Sequence, residues 1–153
     1  MRRPAARGAL GGRRALVTGG AGFVGSHLVR ALLNAGCEVA VTVRPGGKGD
    51  RLADVRSMIT LVQWDAGITG SIASLDPAWG SDLVFHLSAA GVADSALRPE
   101  LLLQVNALGT RDVVDFAVAA GARRFVYCGS CLEYGPGVML REYAALAPTA
   151  PYG

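Results

Sequence analysis

Charged side chains are scarce in this chain, 18% of 153 residues, against 51% hydrophobic residues. That balance excludes general disorder, and the length suits one domain with a real core. No run of eighteen apolar residues occurs, so no membrane-spanning helix is predicted. Cysteine is limited to three. An odd count without a secretion signal points to a reducing, cytoplasmic setting rather than a disulfide framework. Aromatic residues are few, and none is interleaved with the arginines that crowd the start (Arg2, Arg3, Arg7, Arg13, Arg14). A basic lead without a stacking surface does not make a nucleic-acid binder, and no signal-length apolar core follows it. Residues 1–12 are read as a disordered basic segment and 13–153 as one domain. The formal net charge of +3 is discounted accordingly.

The 21 glycines and seven prolines show no period, so they mark turns. Ala15, Leu16 and Val17 form a short apolar run closed by Gly19 and Gly20, which predicts a buried strand. From Gly22 to Ala35, apolar residues recur near helical spacing at Val24, Leu28, Ala31, Leu32 and Ala35, and Gly36 stops the helix. Val39 to Val43 is a second strand, a short helix is expected near Arg51 to Arg56, and Ile59 to Gln63 is a third strand. Ser81 to Leu87 is a fourth. A long helix from Leu97 to Ala120 carries Leu101, Val105, Leu108, Val113, Phe116 and Ala117 as its apolar positions. Arg124 to Cys128 is the fifth strand. Strands that are apolar on both faces and alternate with helices predict an α/β doubly wound parallel sheet of the Rossmann class.

The first strand runs directly into Thr18-Gly19-Gly20-Ala21-Gly22-Phe23-Val24-Gly25, and a helix follows. Glycines at this spacing permit a tight turn, let backbone N–H groups approach a pyrophosphate, and let the helix press on the sheet. The positive end of the helix then faces the phosphates. A Rossmann protein that reads NAD places an acid on the adenine ribose about twenty residues later. Arg44 stands there instead, with Lys48 and Arg51 nearby. A guanidinium suits a 2′-phosphate, so NADP(H) is favoured over NAD(H).

Further motifs follow in order. Asp65 comes after the third strand and His86-Leu87-Ser88-Ala89-Ala90 after the fourth. Asn106-Ala107-Leu108-Gly109-Thr110 lies inside the long helix. Cys128-Gly129-Ser130-Cys131-Leu132-Glu133-Tyr134-Gly135 follows the fifth strand, and Pro148-Thr149-Ala150-Pro151-Tyr152-Gly153 comes last. With the glycine loop these six motifs resemble the extended short-chain dehydrogenase/reductases, the NAD-dependent epimerase/dehydratase family.

The resemblance implies that Gly19, Gly22, Phe23, Val24 and Gly25 hold the cofactor. It implies that Asp65 and Ala66 lie against the adenine. Leu87, Ser88, Ala89, Ala90 and Gly91 would line the pyrophosphate and nicotinamide ribose, and Asn106 would brace the sheet. Ser130 matches the family's catalytic Ser/Thr and Tyr152 the tyrosine of its Tyr-x-x-x-Lys motif. A phenol titrates near 10 unless lowered, and in the family the lysine lowers it. That lysine would be residue 156, so a truncated domain with an incomplete active site and no substrate lobe is expected. The implied substrate is a nucleotide sugar, or another small hydroxy or keto compound. The implied chemistry is epimerisation, dehydration or reduction, with a homodimer possible. Alternatives are an NADPH-dependent ketone reductase of the flavanol-reductase type and a non-catalytic NADP(H) sensor.

Two rival motifs read differently. Cys128-Gly129-Ser130-Cys131 approaches a papain-type signature, but Leu132 stands where Trp or Tyr is required, and both histidines lie upstream. Zinc would need four ligands, and no second Cys/His pair exists, so no metal is expected. A redox pair would displace the hydroxyl site, which leaves small apolar residues beside a strand end. His86 ends an apolar strand and reads as a buried structural imidazole rather than a base.

Overall fold

The structure, a computed structural model, describes residues 9–66, 72, 76–91, 98–150 and 152. Five strands form one parallel sheet: β1 (Arg14–Thr18), β2 (Glu38–Val43), β3 (Ile59–Gln63), β4 (Leu83–His86) and β5 (Arg124–Tyr127). Their order is β3-β2-β1-β4-β5. The chain therefore winds outward from β1 in one direction and then restarts on its other side. The restart leaves a crevice at the carboxyl ends of β1 and β4, where ligands bind in open α/β sheets.

Alternation along the strands builds two cores. Leu16, Ala40, Val62 and Val84 point to one face, where Val113, Phe116 and Ala117 of α3 (Gly109–Ala119) cover them. Ala15, Val17, Val39 and Val41 point to the other, against Val29 and Leu32 of α1 (Phe23–Asn34). Period-2 strands buried on both sides give the continuous apolar runs seen in the sequence. The edges depart from this. On β5, Val126 and Tyr127 are exposed.

Helix ends and lengths shift slightly from expectation. The fourth strand is shorter than Ser81 to Leu87. The fifth ends at Tyr127, although the Cys128 N–H still donates to the His86 carbonyl at 3.0 Å. The long helix is made of α2 (Pro99–Leu102), a π-helical stretch (Leu103–Leu108) and α3, while Leu97 lies outside the described residues. A π turn takes more residues per revolution, so Leu108 misses the core and is exposed while Gly109 is buried. Leu102 is likewise buried, where Leu101 was expected to lead.

Of the expected disordered segment, residues 1–8 lie outside the described residues. The remainder is tied down: the Leu10 and Gly12 N–H groups donate to the Ala35 and Gly36 carbonyls at 3.2 and 3.1 Å. Leu10 also packs on the α1-side core. Residues 9–12 are thus held against the domain, because an apolar side chain and two amides have partners there.

Candidate functional site

The glycine loop is held in place by contacts that exclude side chains. Gly19 has φ +67°, and a Cβ there would lie 2.8 Å from the Leu87 carbonyl carbon and the Ser88 nitrogen. The first turn therefore presses on the chain leaving β4. The Gly22 N–H donates to the Gly19 carbonyl at 2.9 Å. Gly22 also caps α1 without a side-chain hydrogen bond, and no acidic residue sits in the first turn. The positive end of the helix is left unneutralised.

This loop opens on a cleft of about 880 Å³. Gly19 and Gly22 line it, as do Asp65, Ala66, Leu87, Ser88, Ala89, Ala90 and Arg44. The structure thus brings most of the sequence-predicted cofactor residues to one place. Gly25 lies behind the loop, packed on Gly19 and Gly20. Phe23 and Val24 are exposed on the first turn of α1 and do not line the cleft. Sequence reading missed Trp64 and Asp50, which do line it. Trp64 stands directly before Asp65, and that adjacency was the available signal. Among the described residues its indole N–H is buried without a hydrogen-bond partner, an arrangement that costs about 1–3 kcal/mol.

The far side of the loop is fixed from α1. Arg30 grips both Asp54 carboxylate oxygens, at 3.0 and 2.5 Å, and donates to the Arg51 carbonyl at 2.7 Å. This pins the 3-10 stretch Asp50–Met58 along the edge of the cleft.

A relay of hydrogen bonds sets the segment after β4. Thr110 donates its hydroxyl to the Asn106 carbonyl, so it accepts from His86 Nε2–H at 2.8 Å. His86 Nδ1 then accepts the Thr18 hydroxyl at 2.6 Å, and Thr18 Oγ1 accepts from the Ser88 hydroxyl at 3.0 Å. This assigns the neutral Nε2–H tautomer to His86 from the network. Asn106 closes the circuit on Ala90, accepting its N–H at 2.8 Å and donating to its carbonyl at 3.0 Å. Asn106 therefore braces the cleft wall at Ala90.

Burial lowers the His86 pKa to about 4 from its ordinary 6.5. The folded state resists protonation that the unfolded chain accepts, so the neutral ring stabilises the fold above pH 6.5. That contribution is lost as pH falls from 6.5 towards 4, and amounts to about 3 kcal/mol at most. Urea titrations between pH 4 and 8 should show this loss, and His86→Asn should flatten that part of the profile. An unchanged acid slope in the variant would contradict the assignment.

The two proposed reactive hydroxyls are held differently. Ser130 Oγ accepts from the Leu132 N–H at 3.1 Å and caps the short turn Cys131–Tyr134. Tyr152 packs on Gly91, where an added Cβ would lie 3.2 Å from the ring's Cδ2. Burial pushes the Tyr152 phenol above its ordinary value, with smaller contributions from Tyr127, Cys128 and Cys131 around it. That is the opposite of what acid/base work near neutrality needs, and an adjacent cation would reverse it. Cys128 and Cys131 are both exposed, just past the end of β5. Among the described residues, no group of three or more His, Cys, Asp or Glu could hold a metal. No described helix is long and apolar enough to cross a membrane.

Residues 15–153 match the model of the NAD dependent epimerase/dehydratase family. The chain belongs to that family. It is 32% identical over 143 residues to a UDP-glucose 4-epimerase of Azospirillum brasilense, covering 92% of this chain and 40% of that protein. It is 36% identical over 144 residues to a dTDP-glucose 4,6-dehydratase of Mycobacterium tuberculosis, covering 91% and 42%. The chain thus spans about two-fifths of the length of these relatives. Among solved structures it resembles the UDP-Glc/GlcNAc 4-epimerase of Campylobacter jejuni, with TM-score 0.81 and 26% identity over 93% of this chain and 45% of that one. It also resembles the Bordetella bronchiseptica enzyme WbmG, solved in complex with NAD, with TM-score 0.78 and 27% identity over 92% and 45%.

An NAD-dependent family member needs a cradle for two phosphates and a place for the adenine. The cradle is present: a loop in which Gly19 and Gly25 leave no room for a side chain, followed by a helix end with no acid. Asp65 and Ala66 stand beside it on the same cleft. The residues of this chain fit the cofactor.

Proposed function

We propose that this chain is the cofactor-binding part of an NAD(P)-dependent epimerase, dehydratase or reductase acting on a nucleotide sugar. The observation that supports it best is the position of Tyr152. It packs on Gly91, which lines the cleft that the glycine loop also lines. A nicotinamide cofactor supplies hydride exchange at a carbinol or keto carbon when bound. The residues here do the rest. Gly19 and Gly22 admit the phosphates, and Asp65 accepts from the adenine amino group. Tyr152 gives or takes the proton at the substrate oxygen. Ser130 orients that oxygen with its hydroxyl, which already accepts one bond from Leu132. An assay of the complete enzyme against UDP- and dTDP-sugars, following interconversion or reduced-nicotinamide absorbance, tests this reading. Binding of cofactor with no turnover of any nucleotide sugar would remove it, and turnover of other ketones would then separate a ketone reductase from a sensor.

For the cofactor, the reading is NADP(H) over NAD(H). Arg44 lines the cleft, is exposed, and makes no hydrogen bond or ion pair with its side chain among the described residues. Arg51 stands with it, and two acids, Asp50 and Asp65, line the same cleft. A free guanidinium there favours a phosphate ester over a hydroxyl. Arg44→Asp should weaken NADPH binding roughly tenfold to a hundredfold, the worth of a charge-assisted bond, and leave NADH nearly unchanged. Fluorescence titration of both cofactors measures it. Equal affinities in both proteins would leave NAD(H), the ligand of the WbmG complex.

A further inference from the structure

The ladder between β1 and β4 stops at the cleft. Thr18 and His86 are its last paired residues, and the Leu87 N–H still donates to the Thr18 carbonyl at 3.2 Å. The next amide, that of Ser88, donates at 3.3 Å to the Thr18 hydroxyl oxygen instead. A side chain thus supplies the rung after the last backbone one. This rung joins the two walls of the cleft, because the glycine loop begins at Gly19, where an added Cβ would lie 2.8 Å from the Ser88 nitrogen.

A hydroxyl carries one proton, so both its lone pairs face one partner only when that proton is placed elsewhere. Thr18 gives its proton to His86 Nδ1 at 2.6 Å and accepts from both the N–H and the hydroxyl of Ser88, the latter at 3.0 Å. Nδ1 accepts only while the ring is neutral and protonated on Nε2. Thr110 selects that tautomer, because its own proton goes to the Asn106 carbonyl and it accepts from Nε2 at 2.8 Å. The ring is 1% exposed, and its faces and edges meet the aromatic rings of Trp64, Phe125 and Tyr127. Those surroundings favour the uncharged form. A neutral imidazole offers one acceptor and one donor, which is what these two hydroxyls need.

We propose that His86 is a positioning residue for the dinucleotide: by orienting the Thr18 hydroxyl, it fixes the chain leaving β4 at Ser88 against the glycine loop. The two edges of the ring have unequal parts in this. The Nδ1 edge holds the cleft wall through Thr18, and the Nε2 edge sets the tautomer through Thr110. Asn106 holds the same segment separately at Ala90, so removing the Nδ1 contact frees the Ser88 end alone. The role of His86 in binding rests on the reading that this cleft takes a nicotinamide dinucleotide.

Variants of the complete protein separate the two edges. His86→Asn keeps an amide group near the place of Nδ1, and His86→Gln keeps one near the place of Nε2. Titrated with NADPH and NADH, His86→Gln should lose roughly tenfold more affinity than His86→Asn, the worth of one hydrogen bond. Thr18→Val keeps the shape without the hydroxyl and should match His86→Gln, and the two changes together should cost little more than either. Hydrogen exchange at the Ser88 amide should quicken in both, while the Ala90 amide stays protected. Nitrogen NMR of the wild-type protein without ligand should show the His86 proton on Nε2. A proton on Nδ1 would overturn the proposal. Equal losses in the Asn and Gln variants would do the same, since loss of packing alone gives that result, and so would additive losses with Thr18→Val. The tautomer and the Thr18→Val affinity decide the matter even if both His86 variants unfold. A wild-type protein that binds neither dinucleotide would instead overturn the cofactor reading, and the role of His86 with it.

Discussion

Changing Tyr152 to Phe in the complete enzyme is expected to lower turnover about a hundredfold to ten-thousandfold, the range for loss of a general acid/base. The ring's packing on Gly91 needs only carbon atoms, so the variant keeps the cleft wall intact and cofactor affinity should stay near wild type. The phenol is held above its ordinary pKa by burial. Its proton is therefore retained until a cation in the working site offsets that burial. Ser130→Ala should cost less, because a hydroxyl that orients an oxygen can be partly replaced by water. Steady-state rates beside cofactor titrations separate the two effects. A Tyr152→Phe enzyme of normal rate would show that the proton comes from another group.

Gly25→Ala should destabilise the fold by several kcal/mol and abolish cofactor binding. The new Cβ would overlap the Gly19 carbonyl oxygen and lie 2.6 Å from the Gly20 Cα. Both are backbone atoms of the cradle and cannot swing aside. Overpacking of this kind costs about 1–3 kcal/mol or more, a large share of a marginal total of about 5–15 kcal/mol. The relief available is for α1 to move off the loop, which carries its open end away from the phosphates. Gly129→Ala is the matched control, since its Cβ meets only ordinary contacts. Urea unfolding of the two variants should differ by several kcal/mol. Similar midpoints would mean that the helix is not seated on the loop as described.

Much of this was legible in the sequence because it depends on spacing. The alternation of β1, β2 and β4 follows from burial on both faces, and the glycine spacing follows from the turn's need for bare backbone. Asp65, Ala66 and the segment from Leu87 to Ala90 were placed by resemblance and do meet on one cleft. What stayed hidden depends on geometry that spacing does not encode. The π stretch shifts the helix phase, so Leu108 turns outward although its period suggested core. Trp64 reads as one more apolar residue after β3, and only the folded chain puts it on the cleft lining. Asn106 was expected to brace the sheet, and its amide makes two side-chain hydrogen bonds to Ala90, in the segment that leaves β4.

A crystal structure of the complete protein with bound NADP⁺ or NAD⁺ tests the central claim most directly. The account predicts the pyrophosphate over Gly19 and Gly22, the adenine beside Asp65 and Ala66, and the nicotinamide towards Gly91 with Tyr152 in reach of its substrate face. Dinucleotide density elsewhere, or none at saturating concentration with the glycine loop unchanged, would contradict it.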